Sequence, residues 1–159
     1  MYRLLAMDVD GTLTDGGVYI ASDGSEYKRF NSQDGMGISL FRKAGGKVAL
    51  ISGRYSAATE RRAMELHIDY LANGTGDKLD TLMKIAEEVG VSAEETVYAG
   101  DDVNDIDCVK WAGLGVAVAN AVTELQSAAD YVTDREGGNG AIRELTDWLL
   151  AINAKEVTQ

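Results

Sequence analysis

Short apolar runs rich in β-branched residues alternate along the chain with longer stretches in which apolar residues recur at helical spacing. This alternation is typical of βαβ units built around a mainly parallel sheet. The predicted strands cover residues 3–9, 47–51, 70–72, 96–99, 115–118 and 131–133. The predicted helices cover residues 37–44, 57–66, 79–89, 106–112, 123–128 and 141–152. The pattern therefore predicts an α/β fold, a Rossmann-like three-layer sandwich with helices on both faces of the sheet.

One segment, residues 17–31, departs from this alternation. Two short runs of strand-forming residues, 18–20 and 26–30, flank an Asp-Gly pair at positions 23 and 24. Such a pair readily adopts the positive φ values of tight hairpin turns, so a β-hairpin is predicted here. The interval from Gly11 to Lys47 is too short for a cap domain, and so is the interval from Arg54 to Lys78. We therefore expect a single domain, residues 1–159, in which the hairpin forms a flap over the strand ends.

Composition and charge narrow the class of protein. Of the 159 residues, 45% are hydrophobic and 26% are charged, which is ordinary for a globular protein. The net charge of −11 argues against a nucleic-acid surface, because phosphate backbones are held by clustered Lys and Arg. No run approaches the ~20 apolar residues of a membrane span, and Asp8 interrupts the first apolar run too early for a signal peptide. The single cysteine, Cys108, suits a reducing cytoplasm and is expected to be structural.

Two carboxylates follow the first predicted strand. Asp8 and Asp10 are two residues apart, so their side chains leave an extended backbone on the same face. Gly11 lets the chain turn at the sheet edge where open α/β folds bind ligands. Because a nearby like charge raises a carboxyl pKa, such a pair can divide into a nucleophile and a proton donor. On its own, however, Asp10-Gly11 is equally consistent with an ordinary turn.

Three further motifs occur at corresponding places. Ser52-Gly53-Arg54 follows the second strand and supplies a hydroxyl, and Lys78 opens a predicted helix after Asp77. The acidic cluster of residues 101–105 follows the fourth strand, and its hard oxygen ligands suit Mg²⁺. Each motif alone is compatible with a solvated loop or helix end. Their shared position at the carboxyl edge of the sheet predicts one site for phosphate and magnesium.

Other mechanisms lack the residues that they require. A calcium loop is not favoured, because Val103 interrupts the alternating ligands of an EF-hand. Ser52 lies in no Gly-x-Ser-x-Gly elbow, and the single histidine, His67, has no paired motif, which excludes a serine triad and a multi-histidine zinc site. The glycine-rich segment 74–78 does not have the spacing of a Walker loop. His67 is therefore expected to be structural.

The set resembles the haloacid dehalogenase superfamily of phosphatases, on the motifs Asp8-Val9-Asp10-Gly11-Thr12, Ser52-Gly53-Arg54, Asp77-Lys78 and Gly100-Asp101-Asp102. The resemblance implies that Asp8 is the nucleophile, and that Asp10 first protonates the leaving oxygen and then deprotonates water. It also implies that Ser52 and Gly53 bind the phosphoryl oxygens. Lys78 would bridge the nucleophile and the phosphate.

The same resemblance suggests how Mg²⁺ is held. The expected protein ligands are Asp8, the backbone carbonyl of Asp10, and Asp101. Asp102 is expected to support these ligands without binding the metal itself, and Asp105 is expected to orient water or the lysine. An aspartyl-phosphate intermediate and Mg²⁺ dependence follow from this assignment.

A closer resemblance extends over nearly the whole chain. It rests on the hairpin in place of a cap and on the motifs Phe30-Asn31, Asp34-Gly35-Met36-Gly37-Ile38, Ala129-Asp130-Tyr131-Val132-Thr133 and Gly137-Gly138. These features are similar to those of the capless 3-deoxy-D-manno-octulosonate 8-phosphate phosphatases. The family implies a sugar-acid phosphate substrate, a role in lipopolysaccharide precursor synthesis, and a homotetramer assembled through the hairpin flaps.

The second anionic end of such a substrate has two candidate partners. Arg54 and Arg62 carry guanidinium forks that suit a carboxylate, although Arg62 is equally consistent with a solvated helix face. Relatives acting on nine-carbon acids tend to have an acidic residue at the position of Arg54, so the eight-carbon acid is favoured. Asn139, where relatives often carry Arg, and Val122, where they often carry Pro, depart from the family pattern. A nonulosonate 9-phosphate phosphatase and a non-catalytic assembly module are the alternatives.

Overall fold

The computed structural model describes residues 1–157, so Thr158 and Gln159 of the predicted 1–159 domain lie outside the described residues. The strands are β1 (Leu4–Met7), β2 (Tyr19–Ile20), β3 (Glu26–Tyr27), β4 (Lys47–Ser52), β5 (Tyr70–Asn73), β6 (Thr96–Gly100), β7 (Leu114–Ala117) and β8 (Tyr131–Val132). The helices are α1 (Ser32–Lys43), α2 (Ala57–Glu65), α3 (Lys78–Val89), α4 (Ile106–Trp111), α5 (Thr123–Ala128) and α6 (Ala141–Val157).

Six strands form one sheet in the order β5-β4-β1-β6-β7-β8, and each neighbouring pair is parallel. Every residue of β1 is buried, as expected for a strand whose two faces are both covered by helices. Leu4 and Ala6 point into one hydrophobic cluster, whereas Leu5 and Met7 point into the other. The α/β sandwich predicted from the hydrophobic pattern is therefore confirmed.

The two helical layers differ in membership. Side chains of α3, α4 and α5, including Leu82, Val109 and Leu125, pack on the face that carries Leu4. Side chains of α1, α2 and α6 cover the opposite face. Within that second layer, α1 and α6 approach closely at Gly37, where a Cβ atom would lie 2.2 Å from the Thr146 hydroxyl. A larger residue at Gly37 would force the two helices apart.

Helix α1 begins earlier than predicted. The Asn31 side chain accepts hydrogen bonds from the backbone N–H groups of Gln33 and Asp34, so the helix starts at Ser32 and not at residue 37. The prediction was wrong because the glycines of this segment have low helix propensity, and the tertiary packing of α1 against α6 overrides it. Strand β1 also ends at Met7, short of the predicted residue 9, while α6 continues past the predicted residue 152 to Val157.

The segment between β1 and α1 contains the predicted hairpin. Strands β2 and β3 are antiparallel, with Tyr19 opposite Tyr27, and an isolated bridge joins Thr14 to Phe30. The paired portion is shorter than the predicted strands, but the chain does return across the ends of the sheet strands. Among residues 1–157, no helix combines the length and the apolar character that crossing a membrane demands.

Candidate active site

The carboxyl ends of three adjacent strands, β4, β1 and β6, deliver side chains to one cavity. Asp8 follows β1, Ser52 ends β4, and Asp101 follows β6. These strands are direct neighbours in the sheet, so their carboxyl ends converge. The cavity has a volume of about 370 Å³ and is lined by Asp8, Asp10, Gly16, Ser52, Gly53, Arg54, Asp101, Asp102 and Asn104. Residues from the first, second and fourth sequence motifs are thus brought together.

Lys78 joins two of the aspartates. Its Nζ donates to Asp8 Oδ1 at 2.8 Å and to Asp105 Oδ1 at 2.9 Å, and all three side chains are buried. Helix α3 positions the lysine, because its first residue is Lys78 and its N-cap, Asp77, accepts from the Asp80 N–H. Burial opposes the charge on Lys78, but the carboxylates of Asp8 and Asp105 outweigh it and raise its pKa. Lys78 is therefore a buried ammonium at neutral pH.

Asp105 is fully engaged by protein groups. Oδ1 accepts from Lys78 and, at 2.7 Å, from the Tyr98 hydroxyl, while Oδ2 accepts from the backbone N–H groups of Asp101 and Asp102. Because both oxygens already have donors, this carboxylate is suited to orient the lysine and the acidic loop. Burial, followed by the charge on Asp105, raises the pKa of Tyr98 well above its usual range, which keeps its hydroxyl a donor.

The three aspartates of the site outnumber the one ammonium among them, which belongs to Lys78. Carboxylate oxygens of Asp8, Asp101 and Asp105 lie within 4.8 Å of one another. Burial is the main reason that the pKa of Asp8 is raised, and burial together with the contact with Asp8 raises the pKa of Asp101 to about 9. A hard divalent cation would neutralise this excess and is the type of ion that carboxylates bind. Asp8 and Asp101 face the cavity and fit as its ligands, whereas the oxygens of Asp105 are occupied.

Gly11 is required by the close approach of Asp101. Its φ is +82°, and a Cβ atom there would lie 2.0 Å from Asp101 Oδ2. We expect Gly11→Ala to displace the Asp101 carboxylate and to lower metal-dependent activity by about 10- to 100-fold. Gly24→Ala is the matched control, because Gly24 has φ +84° but no atom within 4 Å of the place that a Cβ would occupy. Activity assays with a metal titration check this, and equal losses in both variants would contradict the role given to Asp101.

Asp10 has a partner that sequence reasoning missed. The Lys28 Nζ lies 2.5 Å from Asp10 Oδ1, and the Lys28 side chain is only 3% exposed. Lys28 follows β3, so the hairpin brings this ammonium to a carboxylate that lines the cavity. No local pattern could have identified it, because the contact depends on how the hairpin folds back over β1.

The loop Ser52-Gly53-Arg54 after β4, for which phosphate binding is predicted, is called the phosphate loop. Within it, Ser52 and Arg54 are joined by hydrogen bonds. The Ser52 hydroxyl donates to the Arg54 carbonyl at 2.8 Å and accepts from the Arg54 N–H at 3.3 Å. The Arg54 guanidinium reaches back to the hairpin, where Nη2 donates to Glu26 Oε2 at 2.5 Å. Glu26 is a second contact that sequence reasoning missed, and it too comes from the hairpin.

Arg62 lies elsewhere. It lines a separate cavity of about 560 Å³ together with Phe30 and His67, and donates to the Asn31 carbonyl and to Glu65. The structure of this chain therefore does not bring Arg62 into the cavity that contains Asp8. The first cavity does include Asp102, which caps the following turn by accepting from the Val103 N–H. It also includes Asn104, a member of the cluster of residues 101–105 to which the sequence gives no individual role.

Cys108 is buried beneath the site and has no place in its chemistry. Burial raises the pKa of its thiol to about 12, so the sulfur is neutral at physiological pH. The loop around Asn139 contacts the hairpin, because Arg29 donates to the side chain of Asn139 and to the Gly138 carbonyl.

Comparison with known proteins agrees with this geometry. The sequence pattern of the haloacid dehalogenase-like hydrolase family matches residues 66–145, which include Lys78 and the acidic cluster. The fold is a parallel α/β sheet with an aspartate after a central strand. A lysine paired to that aspartate and an acidic loop complete the site. These features are those of a phosphatase of the haloacid dehalogenase class.

The relatives narrow the assignment further. The chain is 41% identical over 153 residues to the 3-deoxy-D-manno-octulosonate 8-phosphate phosphatase of Escherichia coli (strain K12), covering 96% of this chain and 81% of that protein. It superposes with a TM-score of 0.92 on the Moraxella catarrhalis phosphatase of the same name, solved with magnesium, phosphate and the KDO molecule (38% identity, covering 99% and 92% of the two chains). The Yersinia pestis structure of that name gives a TM-score of 0.92 at 40% identity, covering 94% and 81%. The chain therefore belongs to the 3-deoxy-D-manno-octulosonate 8-phosphate phosphatase family.

Proposed function

We propose that this phosphatase hydrolyses 3-deoxy-D-manno-octulosonate 8-phosphate to the free sugar acid and phosphate, and that its metal is Mg²⁺. The observation that carries the proposal is the buried Asp8 carboxylate, held at 2.8 Å by Lys78 beside a cavity that Asp101 and Arg54 also line. The identity of the relatives supports the substrate, and a structure in that family contains magnesium, phosphate and the sugar acid.

The proposed reaction proceeds in two displacements. An oxygen of Asp8 attacks phosphorus and the ester bond breaks, while Asp10 gives a proton to the leaving sugar oxygen. Asp10 then takes a proton from water, whose oxygen attacks phosphorus and releases Asp8. Lys78 and the Ser52 hydroxyl orient the nucleophile and the phosphoryl oxygens. When bound at Asp8 and Asp101, Mg²⁺ supplies positive charge that favours the ionised nucleophile and offsets the charge of the phosphate.

Magnesium affinity is expected to increase with pH. In the metal-free fold the pKa of Asp101 is raised from its ordinary value of 3.8 to about 9, so this carboxyl holds a proton that must leave when the ion binds. The dissociation constant should fall by up to about tenfold per pH unit below pH 9. The same shift means that the metal-free protein loses stability as the pH rises towards about 9, because the folded state retains a proton that the unfolded state has released.

Calorimetric titration with MgCl₂ between pH 6 and 8 measures this dependence. The Asp101→Asn variant provides the comparison, since it removes the competing proton together with the ligand charge, and should bind weakly at every pH. A wild-type dissociation constant that does not change with pH would contradict the assignment of Asp101.

The substrate is tested by comparing kcat/KM for the eight-carbon sugar-acid phosphate and for a nine-carbon nonulosonate 9-phosphate. We expect the eight-carbon substrate to be preferred, and Arg54→Ala to reduce its kcat/KM by about 10-fold or more while affecting p-nitrophenyl phosphate little. A clear preference for the nine-carbon acid would favour the alternative phosphatase. A non-catalytic assembly module is not favoured, because the aspartates, the serine and the lysine of the site are all present.

We also propose that the protein acts in the cytoplasm, in the synthesis of lipopolysaccharide precursors, as a homotetramer assembled through its hairpins. Support for the assembly comes from the hairpin residues Val18, Ile20 and Tyr27, which are large, apolar and more than half exposed. Light scattering would determine the oligomeric state, and a monomer at micromolar concentration would contradict the tetramer.

A further inference from the structure

The hairpin places two opposite charges against residues that line the active-site cavity. Glu26 and Lys28 are two residues apart, so they leave the extended chain on the same side. Glu26 Oε2 accepts from Arg54 Nη2 at 2.5 Å, and Lys28 Nζ donates to Asp10 Oδ1 at 2.5 Å. One ion pair therefore ties the hairpin to the phosphate loop, and the other ties it to the proposed acid-base residue.

The first of these pairs occupies the guanidinium that is proposed to bind the substrate. The Arg54 side chain is 56% exposed and that of Glu26 is 27% exposed. An ion pair exposed to this extent is readily exchanged, because water and dissolved ions compete with it. While Nη2 donates to Glu26, one of the two terminal nitrogens that a carboxylate would bind bidentately is already engaged.

We propose that Glu26 is a specificity-determining residue that competes with the substrate carboxylate for Arg54. The inference rests on the proposed function, since it requires a phosphate ester that also carries a carboxylate. In the free enzyme Glu26 pairs with Arg54, and the substrate carboxylate takes its place on binding, so that one charge-assisted hydrogen bond replaces another. An ester without a carboxylate leaves the pair intact. Glu26 therefore sets the affinity for acidic substrates without taking part in bond making or breaking.

Glu26→Gln tests this competition, because it preserves the size of the side chain and removes its charge. We expect KM for the sugar-acid phosphate to fall about three- to fivefold, with kcat unchanged and with KM for p-nitrophenyl phosphate unchanged. Asp23→Asn is the matched control. It removes the same charge from the turn of the same hairpin, where Asp23 binds Ser25, and should change neither KM.

Several outcomes would overturn the inference. Equal changes in KM for the two substrates would show that Glu26→Gln alters the hairpin or the general electrostatic field, as would an equal effect of Asp23→Asn. In an Arg54→Ala background, Glu26→Gln should have no further effect, because the group for which it competes is gone. A full effect in that background would also contradict competition for Arg54.

A second readout separates this inference from the proposed function. The free sugar acid is used as an inhibitor of p-nitrophenyl phosphate hydrolysis, and Glu26→Gln should lower its inhibition constant by the same factor as KM. If the wild-type enzyme failed to hydrolyse the sugar-acid phosphate, the proposed function would fail, yet a lowered inhibition constant would still support competition at Arg54. An unchanged inhibition constant would overturn the role of Glu26 even in an enzyme that hydrolyses this substrate.

Discussion

Asp8→Asn is expected to lower kcat for phosphate release by more than about 10⁴-fold at saturating Mg²⁺. The neutral amide has no anionic oxygen to attack phosphorus, and the substitution also removes one of the two carboxylates proposed to bind the metal. The fold should tolerate the change, because burial and repulsion from Asp105 already raise the pKa of Asp8 and thereby disfavour its charge. Steady-state assays of phosphate release, together with thermal unfolding, measure both effects.

The control for this variant is Asp23→Asn, which makes the same chemical change at the exposed hairpin turn and should leave kcat unchanged. A melting temperature of Asp8→Asn close to that of the wild type would show that the loss is chemical. Persistence of more than a few per cent of the wild-type kcat would be incompatible with Asp8 as the nucleophile.

Lys78→Met is expected to damage both stability and catalysis. The substitution retains the length and the apolar stem of the side chain, but leaves the buried carboxylates of Asp8 and Asp105 without their shared ammonium. Breaking a buried ion pair from one side costs about 3–5 kcal/mol, and we expect a loss of this size in the free energy of unfolding measured with a chelator present. We expect kcat to fall by about 10²- to 10³-fold, because the nucleophile and the phosphate lose an oriented positive charge.

The same helix provides the matched control for this prediction. Lys84, also in α3, pairs with Asp80 at 2.6 Å, but both side chains are exposed. Lys84→Met should leave the unfolding curve and kcat close to those of the wild type. If the two variants behaved alike, the ion pairs around Lys78 would not be important for stability or for catalysis.

The sequence was sufficient to predict the central sheet because its strands are marked by local composition. The apolar run that becomes β1 and the run that becomes β4 stand out from the amphipathic stretches around them, and both proved to be strands. The start of α1 could not be predicted in the same way. Its glycines oppose helix formation locally, and the helix depends on a packing partner, α6, that lies about 100 residues further along the chain.

The residues of the site also differ in whether the sequence was sufficient to place them. Asp8, Ser52 and Asp101 could be assigned to one place because parallel strands bring their carboxyl ends to a common edge. The contacts of Glu26 and Lys28 could not be predicted, since the direction in which a hairpin folds is set by tertiary packing. Arg62 is one of two candidates that the sequence offers for the substrate carboxylate, yet α2 turns this side chain towards Phe30 and Asn31.

The central claim is that the phosphoryl group passes through Asp8. Rapid-quench mass spectrometry of the wild-type enzyme, mixed with the sugar-acid phosphate and Mg²⁺ and sampled before steady state, tests it most directly. We predict a transient phosphoryl adduct on the peptide that contains Asp8, absent when Mg²⁺ is chelated. Full turnover with no adduct at any sampled time, or an adduct on a different residue, would contradict it.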